Sequence, residues 1–163
     1  MKHNLCVIGY GGMGGWHVQH ALDSDVVNLV GIYDIKEERR QAARDKGIFA
    51  YDSLEEVLAD DKVELVTVAI PNDVHPEVVI KALEAGKNVI CEKPVAITSA
   101  EFQTMIDAAE RSGKLFTVHQ NRRWDIDYLA MQSLCNSGEI GKPINIESRI
   151  HGSRGIPSDW RGK

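Results

Sequence analysis

The chain has 163 residues, of which 43% are hydrophobic and 26% are charged, and its formal net charge is −5. This length and composition fit one soluble globular domain, or one domain and part of another. The negative charge argues against nucleic acid as the main partner, because phosphate binding needs a basic face. No apolar run approaches the ~18 residues of a membrane span, and the first residues do not resemble a secretion signal. We therefore expect a cytoplasmic location and no membrane association.

Three cysteines, Cys6, Cys91 and Cys135, lie far apart and form no CxxC pair. Their number is odd and their spacing does not match a zinc motif. We therefore expect free thiols in a reducing compartment, and no metal site. Cys91 is of further interest only because it directly precedes a candidate site.

Short apolar runs rich in Val and Ile alternate with amphipathic segments through most of the chain. The runs predict strands at residues 5–8, 26–33, 63–70, 88–91 and 114–118. Most of them lack the alternation of a strand with one solvated face. Capping and glycine signals predict helices at residues 36–46, from a capping box at 53–56, at 76–85, and from a capping box at 98–101 to Gly113. This order predicts an α/β protein with a Rossmann-type, doubly wound parallel sheet.

The pattern changes after Val118. Residues 124–135 predict a helix, and Ile144, Ile146 and Ile150 then alternate with polar residues, which predicts a strand with one buried face. Because a lone strand is not stable in water, we predict a first domain at residues 1–121, and we expect residues 122–163 to be the incomplete beginning of a second, α+β domain. Its open apolar edge predicts either disorder after about residue 140 or association into a homo-oligomer.

A glycine-rich turn follows the first predicted strand directly and precedes a helix. It comprises Gly9, Tyr10, Gly11, Gly12, Met13 and Gly14. In this position the GxGxxG pattern indicates a dinucleotide site. The first glycine permits the tight turn, the second admits the pyrophosphate, and the third lets helix and strand pack closely. Free N–H groups at the helix start favour an anionic ligand. The alternative is a glycine turn without a ligand.

Asp34 ends the second predicted strand, where the ribose-binding acid of such sites is expected. Its carboxylate would accept hydrogen bonds from both ribose hydroxyls and repel the 2′-phosphate of NADP, so the sequence favours NAD over NADP. Asp34 could also cap the following helix. Lys36, Arg39 and Arg40 could soften the repulsion, but we expect them on a solvated helix face. S-adenosylmethionine enzymes can carry a similar turn and acid, which leaves a methyltransferase as an alternative.

A second group of residues follows two later strands. Residues 69–75 (AIPNDVH) follow the run at 63–70, and Glu92-Lys93-Pro94 follows the run at 88–91. Both segments should lie at the carboxyl edge of the sheet, where ligands of open α/β folds bind. A lysine aimed into a dry crevice there can donate to a substrate hydroxyl. For a lone loop lysine, solvent exposure is the alternative.

Together with residues 119–125 (HQNRRWD) and 159–161 (DWR), these motifs resemble the N-terminal half of the Gfo/Idh/MocA oxidoreductases. The resemblance spans nearly the whole chain and is nearest to scyllo-inositol dehydrogenase-like members. It implies that Lys93 contacts substrate and supports proton transfer, and that the bond before Pro94 is often cis. It implies that residues 1–121 are an NAD-binding domain and that residues 122–163 begin a substrate and oligomerisation domain. It also implies two sets of contacts. The cofactor would be contacted by Ile70, Pro71, Asn72, His75 and Glu92. The substrate would be contacted by Asn121, Arg123, Trp160 and Arg161.

The implied function is an NAD-dependent dehydrogenase that transfers hydride from or to a hydroxyl-bearing carbon of a sugar or polyol. In the family, a glycine-rich helix with Asp and His catalytic residues follows a segment like Trp160-Arg161, whereas this sequence ends at Lys163. We therefore expect the chain to bind nucleotide and to catalyse weakly or not at all. A stand-alone dinucleotide-binding module without catalytic activity is the alternative.

Overall fold

The computed structural model describes residues 1–149. The chain divides into two compact units, an N-terminal unit of residues 1–119 and a second unit that begins at Gln120. Among the described residues, no helix combines the length and apolarity that crossing a membrane would require.

The N-terminal unit is built on a five-stranded parallel sheet in the order β2-β1-β3-β4-β5. The strands are β1 (His3–Ile8), β2 (Val27–Tyr33), β3 (Leu65–Val68), β4 (Asn88–Cys91) and β5 (Phe116–Val118). A single parallel bridge between Ile32 and Ala50 adds a short segment outside β2. The predicted parallel sheet is therefore confirmed, with strand ends within two residues of the predicted bounds.

The apolar run at residues 63–70 overestimated the length of β3. Val63 donates its backbone N–H to the Asp60 carbonyl and so belongs to a turn, although its side chain is only 2% exposed. Buried apolar residues in the flanking loops extend a hydrophobic run without extending the strand, because burial and strand pairing are separate requirements.

Five helices connect the strands: α1 (Gly12–Leu22), α2 (Glu37–Arg44), α3 (Leu54–Ala59), α4 (His75–Glu84) and α5 (Ser99–Ser112). The predicted capping box of α5 is present, and Gly113 ends the helix at φ +66°. At α3 only half of the predicted box forms. Ser53 accepts from the Glu56 N–H, but the Glu56 carboxylate bonds the N–H of Asp52 instead of Ser53.

Two apolar clusters cover the two faces of the sheet. The larger one joins Val66, Val68 and Val89 to residues of α4 and α5 such as Leu83 and Met105. The smaller one includes Leu5, Val7, Val18 and Ile32 beside α1 and α2. Helices on both faces explain why the strands read as continuous apolar runs.

The second unit contains a 3₁₀ turn at Asn121–Trp124 and helix α6 (Ile126–Ser137). The helix predicted at residues 124–135 therefore starts two residues later, because Asp125 has the extended backbone of an N-cap. The predicted strand at 144–150 is wrong for residues 144–149, which pair with no strand among the described residues. Ile150 lies outside them. Ile144 is fully exposed. A strand needs the backbone hydrogen bonds of a neighbouring strand, and this segment has no such neighbour among the described residues.

Candidate functional site

The glycine turn brings the end of β1 and the start of α1 together more closely than any side chain would allow. A Cβ on Gly14 would lie 1.7 Å from the carbonyl oxygen of Gly9. A Cβ on Gly9 would lie 2.4 Å from the Ala69 carbonyl oxygen, and Gly9 has a φ of +95°. Helix α1 begins at Gly12, and its N-cap residue, Gly11, has no side chain to occupy the first free amides. The helix start is therefore available to an anion.

Asp34 follows β2 directly and lies beside this turn. Its side chain is only 3% exposed, and Oδ2 accepts a 2.7 Å hydrogen bond from the N–H of Tyr10. Oδ1 accepts from the N–H of Lys36 at 2.9 Å. Lys36, and not Asp34, is the N-cap residue of α2, and no side chain caps the first amides of that helix, so the alternative of Asp34 as a helix cap is wrong.

The expectation that Arg39 and Arg40 lie on a solvated helix face is wrong. The Arg39 guanidinium lies 3.0 Å from Asp34 Oδ2 and beside Gly11, where an added Cβ would be 3.4 Å from it. Arg40 is largely buried and donates to the carbonyl oxygen of Asp34 at 2.7 Å. Arg39 thus pairs with the Asp34 carboxylate, whereas Arg40 contacts only its backbone carbonyl and forms an ion pair with Glu37. Lys36 remains exposed beside Glu38, as expected.

A cavity of about 570 Å³ lies between α1 and α2 next to this turn. Tyr10, Gly11, Gln19, Arg39 and Lys46 are among its lining residues. Its volume falls within the range typical of small-molecule sites. Its wall carries two cationic side chains, Arg39 and Lys46, and one acidic side chain, Glu38.

The loop after β3 contributes residues of two kinds. Pro71 is exposed, and Ile70 and Asn72 are partly exposed, so they remain available to a ligand. His75 is fully buried. Its Nε2 lies 2.9 Å from the Ile70 carbonyl oxygen, and its Nδ1 lies 3.1 Å from that of Pro94. The structure therefore gives His75 a different place from the one expected, linking two loops from beneath rather than lining a groove.

Glu92 and Lys93 point in opposite directions, as expected of neighbours in an extended segment. Glu92 is buried and Lys93 is exposed. Glu92 Oε1 lies 2.8 Å from His17 Nε2 and 2.9 Å from His119 Nδ1, and Oε2 accepts from the Lys93 N–H. The Glu92 side chain is thus directed into the protein rather than towards a cofactor. The peptide bond between Lys93 and Pro94 is cis, as the resemblance implied.

The Glu92 carboxyl is held in its charged form. Burial raises its pKa, but the hydrogen bonds from His17 and from the Lys93 N–H, with the charges of the two imidazoles, outweigh burial and lower the pKa to about 2. Burial also raises the pKa of the Cys91 thiol, to about 12, and that of the Cys6 thiol. Cys91 is therefore not a reactive thiolate, since nucleophilic cysteines need a lowered pKa.

Two proposed substrate residues, Asn121 and Arg123, lie in the 3₁₀ turn of the second unit, where Arg123 is exposed. Trp160 and Arg161 lie outside the described residues. Sequence reasoning missed His17 and His119. Gly14, Val18 and Ala21 are the buried positions of α1, and helical spacing places His17 on that same inward face. That spacing was the available signal for His17. His119 belongs to the motif at residues 119–125, but no local signal indicated that its side chain contacts Glu92.

The described residues fit a dinucleotide. The turn leaves amides and space for a diphosphate at the start of α1, and a side chain on Gly9 or Gly14 would close the turn. The acid at the end of β2 stands beside that turn, where a ribose would follow. These features define a nucleotide-binding domain of the Rossmann class.

The comparison with known sequences specifies the family. The profile GFO_IDH_MocA, described as "Oxidoreductase family, NAD-binding Rossmann fold", matches residues 3–120. The chain therefore belongs to the Gfo/Idh/MocA oxidoreductase family, whose members bind NAD through this domain. The methyltransferase alternative is thereby excluded.

Relatives in this family include named dehydrogenases. The inositol 2-dehydrogenase of Salmonella typhimurium is 33% identical over 156 residues, which make up 93% of this chain and 46% of the relative. The scyllo-inositol 2-dehydrogenase (NADP(+)) IolW of Bacillus subtilis is 35% identical over 136 residues, 82% of this chain and 37% of the relative. The crystal structure of an NAD-binding protein from Listeria innocua matches with a TM-score of 0.93 and 49% identity, over 98% of this chain and 48% of that one. This chain thus spans about half the length of these proteins, or less.

Proposed function

We propose that the protein is an NAD-dependent dehydrogenase acting on a hydroxyl group of a sugar or polyol, with residues 1–119 as its nucleotide-binding domain. One observation carries the proposal. The glycine turn after β1, Asp34 after β2 and Lys93 after β4 all lie at the carboxyl edge of one parallel sheet. That edge is where ligands of open α/β folds bind. The names of the two inositol dehydrogenases support a polyol as the substrate class.

Each part of the site has a defined task in this proposal. The first amides of α1 bind the diphosphate, and Pro71 and Asn72 border the groove. Asp34 accepts the ribose hydroxyls. Its Oδ2 already has two donors, Tyr10 and Arg39, so Arg39 must move aside for both hydroxyls to bind. When bound, the nicotinamide supplies the hydride chemistry, and the protein supplies its position and orientation.

Lys93 is the proposed residue for contact with the reacting hydroxyl. Its ammonium can donate a hydrogen bond to the substrate oxygen and hold it in place. The hydroxyl proton must be taken by a general base as the hydride departs. Because Lys93 is exposed and no described residue is proposed as that base, we expect turnover to be slow but detectable. Asn121 and Arg123 are proposed as further substrate contacts.

A stand-alone dinucleotide-binding module is the second candidate. Two observations favour it. Every proposed diphosphate and ribose contact lies within residues 1–119. The ammonium of Lys93 has no buried partner among the described residues. In either case a reducing compartment such as the cytoplasm would keep Cys6, Cys91 and Cys135 as free thiols.

The two candidates differ in turnover but not in binding. We expect NADH to bind with a saturable change in its fluorescence, and reduction of NAD⁺ to be detectable with at least one of myo-inositol, scyllo-inositol and glucose. Lys93→Met keeps the side-chain length and removes the charge. It should leave the Kd for NADH within about twofold and lower turnover at least about tenfold, equivalent to ~1.4 kcal/mol. Failure to bind NADH would refute both candidates, and binding without turnover on any substrate would favour the module.

A further inference from the structure

Two imidazoles and one carboxylate lie close together near the carboxyl ends of β4 and β5. His17 comes from α1, Glu92 follows β4 and His119 follows β5. His17 Nε2, Glu92 Oε1 and His119 Nδ1 all lie within 4.8 Å of one another. The side chains are 11%, 6% and 24% exposed, respectively, so the cluster is largely shielded from water.

We propose that His17, Glu92 and His119 form a binding site for a divalent transition metal of the zinc class. The donor set, two imidazole nitrogens and one carboxylate oxygen, is one that Zn²⁺ accepts with a fourth position left for water. This site is independent of the proposed dehydrogenase activity.

The distances are close to those that an ion would require. Zn²⁺ binds imidazole nitrogen and carboxylate oxygen at about 2.0–2.2 Å, which places its tetrahedral ligand atoms ~3.3 Å apart. Glu92 Oε1 lies 2.8 Å and 2.9 Å from the two imidazole nitrogens. For a ring to offer a lone pair to the ion, its nitrogen facing Glu92 must be free of a proton, which the ring can carry on its other nitrogen. The two imidazole nitrogens lie within 4.8 Å of each other, so coordination requires the two rings to approach each other while bonds to the ion replace their hydrogen bonds to Glu92.

The surroundings also suit an ion. A cavity of about 240 Å³ borders His17 and His119, with His20 and Thr67 also in its wall, and provides space for a coordinated water. The remaining carboxylate oxygen of Glu92 is already oriented by the Lys93 N–H, and such outer hydrogen bonds hold metal ligands in position. The ion would join α1 to the ends of β4 and β5 and fix the segment that carries Lys93.

The sequence analysis expected no metal site, because these three residues do not form a short motif. His17 and Glu92 are 75 residues apart, and Glu92 and His119 are 27 residues apart. The parallel sheet brings the ends of β4 and β5 next to each other, and the His17 side chain reaches Glu92 from α1.

The test uses the full chain without an affinity tag, stripped with EDTA and titrated with Co²⁺. We expect visible absorption bands that saturate at one ion per chain, displacement by Zn²⁺, and a higher thermal midpoint in Zn²⁺. His17→Gln and His119→Asn each keep a side-chain N–H near the original nitrogen and can still donate to Glu92. Each should weaken Co²⁺ binding at least tenfold, equivalent to ~1.4 kcal/mol. His20→Gln, on the same helix and beside the same cavity, is the control and should bind normally.

Three results would overturn the site. They are the lack of a saturable one-to-one complex, unchanged binding by both variants, and a thiolate-to-cobalt band, which would assign the ion to a cysteine. If a variant does not fold, the NMR signals of the wild-type imidazoles decide. Those of His17 and His119 must broaden first on adding Co²⁺, and selective broadening of other histidines would refute the proposal. NADH binding measured in the same samples reports on the dehydrogenase proposal separately.

Discussion

Gly14 and Gly15 are adjacent in α1, but only Gly14 lies where a side chain would clash. A Cβ on Gly14 would overlap the carbonyl oxygen of Gly9, whereas a Cβ on Gly15 would meet no atom of the described residues within 4 Å. Gly14 is therefore required by the close approach of backbone to backbone. Gly15 only costs helix stability, since glycine is less favourable than alanine in a helix.

We expect Gly14→Ala to lower the free energy of unfolding by about 3 kcal/mol, the upper range for a side chain forced into a packed site. It should also abolish NADH binding, because α1 must move away from the turn. Gly15→Ala should instead raise the stability by up to ~1 kcal/mol. Urea denaturation and NADH titration of both variants would check this. Equal effects of the two substitutions would contradict the close approach.

Arg39 determines how strongly Asp34 discriminates between the two nicotinamide dinucleotides. Its guanidinium neutralises the carboxylate that would otherwise repel a 2′-phosphate, and it is a cation that such a phosphate could bind. Arg39→Ala should therefore raise the Kd for NADPH about tenfold, equivalent to ~1.4 kcal/mol, and leave the Kd for NADH unchanged or lower it, because no guanidinium then has to move aside. Fluorescence titrations would measure both constants. Lys36→Ala is the matched control, because Lys36 pairs with Glu38 instead. A similar loss for both nucleotides would refute this role.

The sequence predicted the site residues whose placement is local. Asp34 follows β2 and reaches the turn through a neighbouring strand, so its location could be inferred from chain order alone. The contacts of Arg39 and of His75 depend on how a helix start is oriented, and the contacts of His17 and His119 depend on the complete sheet. A motif specifies the residues of one loop, whereas packing specifies which side chains from distant segments meet.

At the scale of elements, the contribution of the N-terminal cap of α5 to the free energy of unfolding can be measured. Thr98 accepts from the Glu101 N–H, and the Glu101 carboxylate accepts from the Thr98 N–H. Thr98→Ala should lower the free energy of unfolding by about 1 kcal/mol, the usual effect of losing an N-cap. Thr104, whose hydroxyl only bonds a carbonyl of its own helix, provides the control. Thr104→Ala should be neutral or slightly stabilising, and a loss as large as that of Thr98→Ala would contradict the capping argument.

Elements with a strong periodic or capping signal were predicted well, and those without a packing partner were not. Strands β1 and β4 and helix α5 combine a clear apolar run or cap with burial on the sheet. The alternating isoleucines at 144 and 146 have the same local signal as a strand, yet Ile146 is 53% exposed and lies in no strand. Strand formation needs the hydrogen bonds of a neighbour, and a sequence pattern alone does not supply them.

At the scale of the whole molecule, the division of the chain predicts an independently folding N-terminal unit. Both apolar clusters and all five strands belong to residues 1–119. A protein ending at His119 should therefore unfold in one cooperative transition and bind NADH with a Kd within about twofold of the full chain, a difference of ~0.4 kcal/mol. Circular dichroism melts and fluorescence titration would check this. Loss of cooperative unfolding would show that residues after 119 complete the fold.

The buried ring of His75 contacts both the loop after β3 and the loop after β4, and it therefore couples the positions of these two loops. It spans the carbonyl oxygens of Ile70 and Pro94 from below, in a place that water does not reach. If one loop changed its length or moved outward alone, the ring would lose its polar contact with that loop in a dry interior. The floor of the nucleotide groove and the segment bearing Lys93 must therefore shift together, and insertions in one loop should be accompanied by compensating changes in the other.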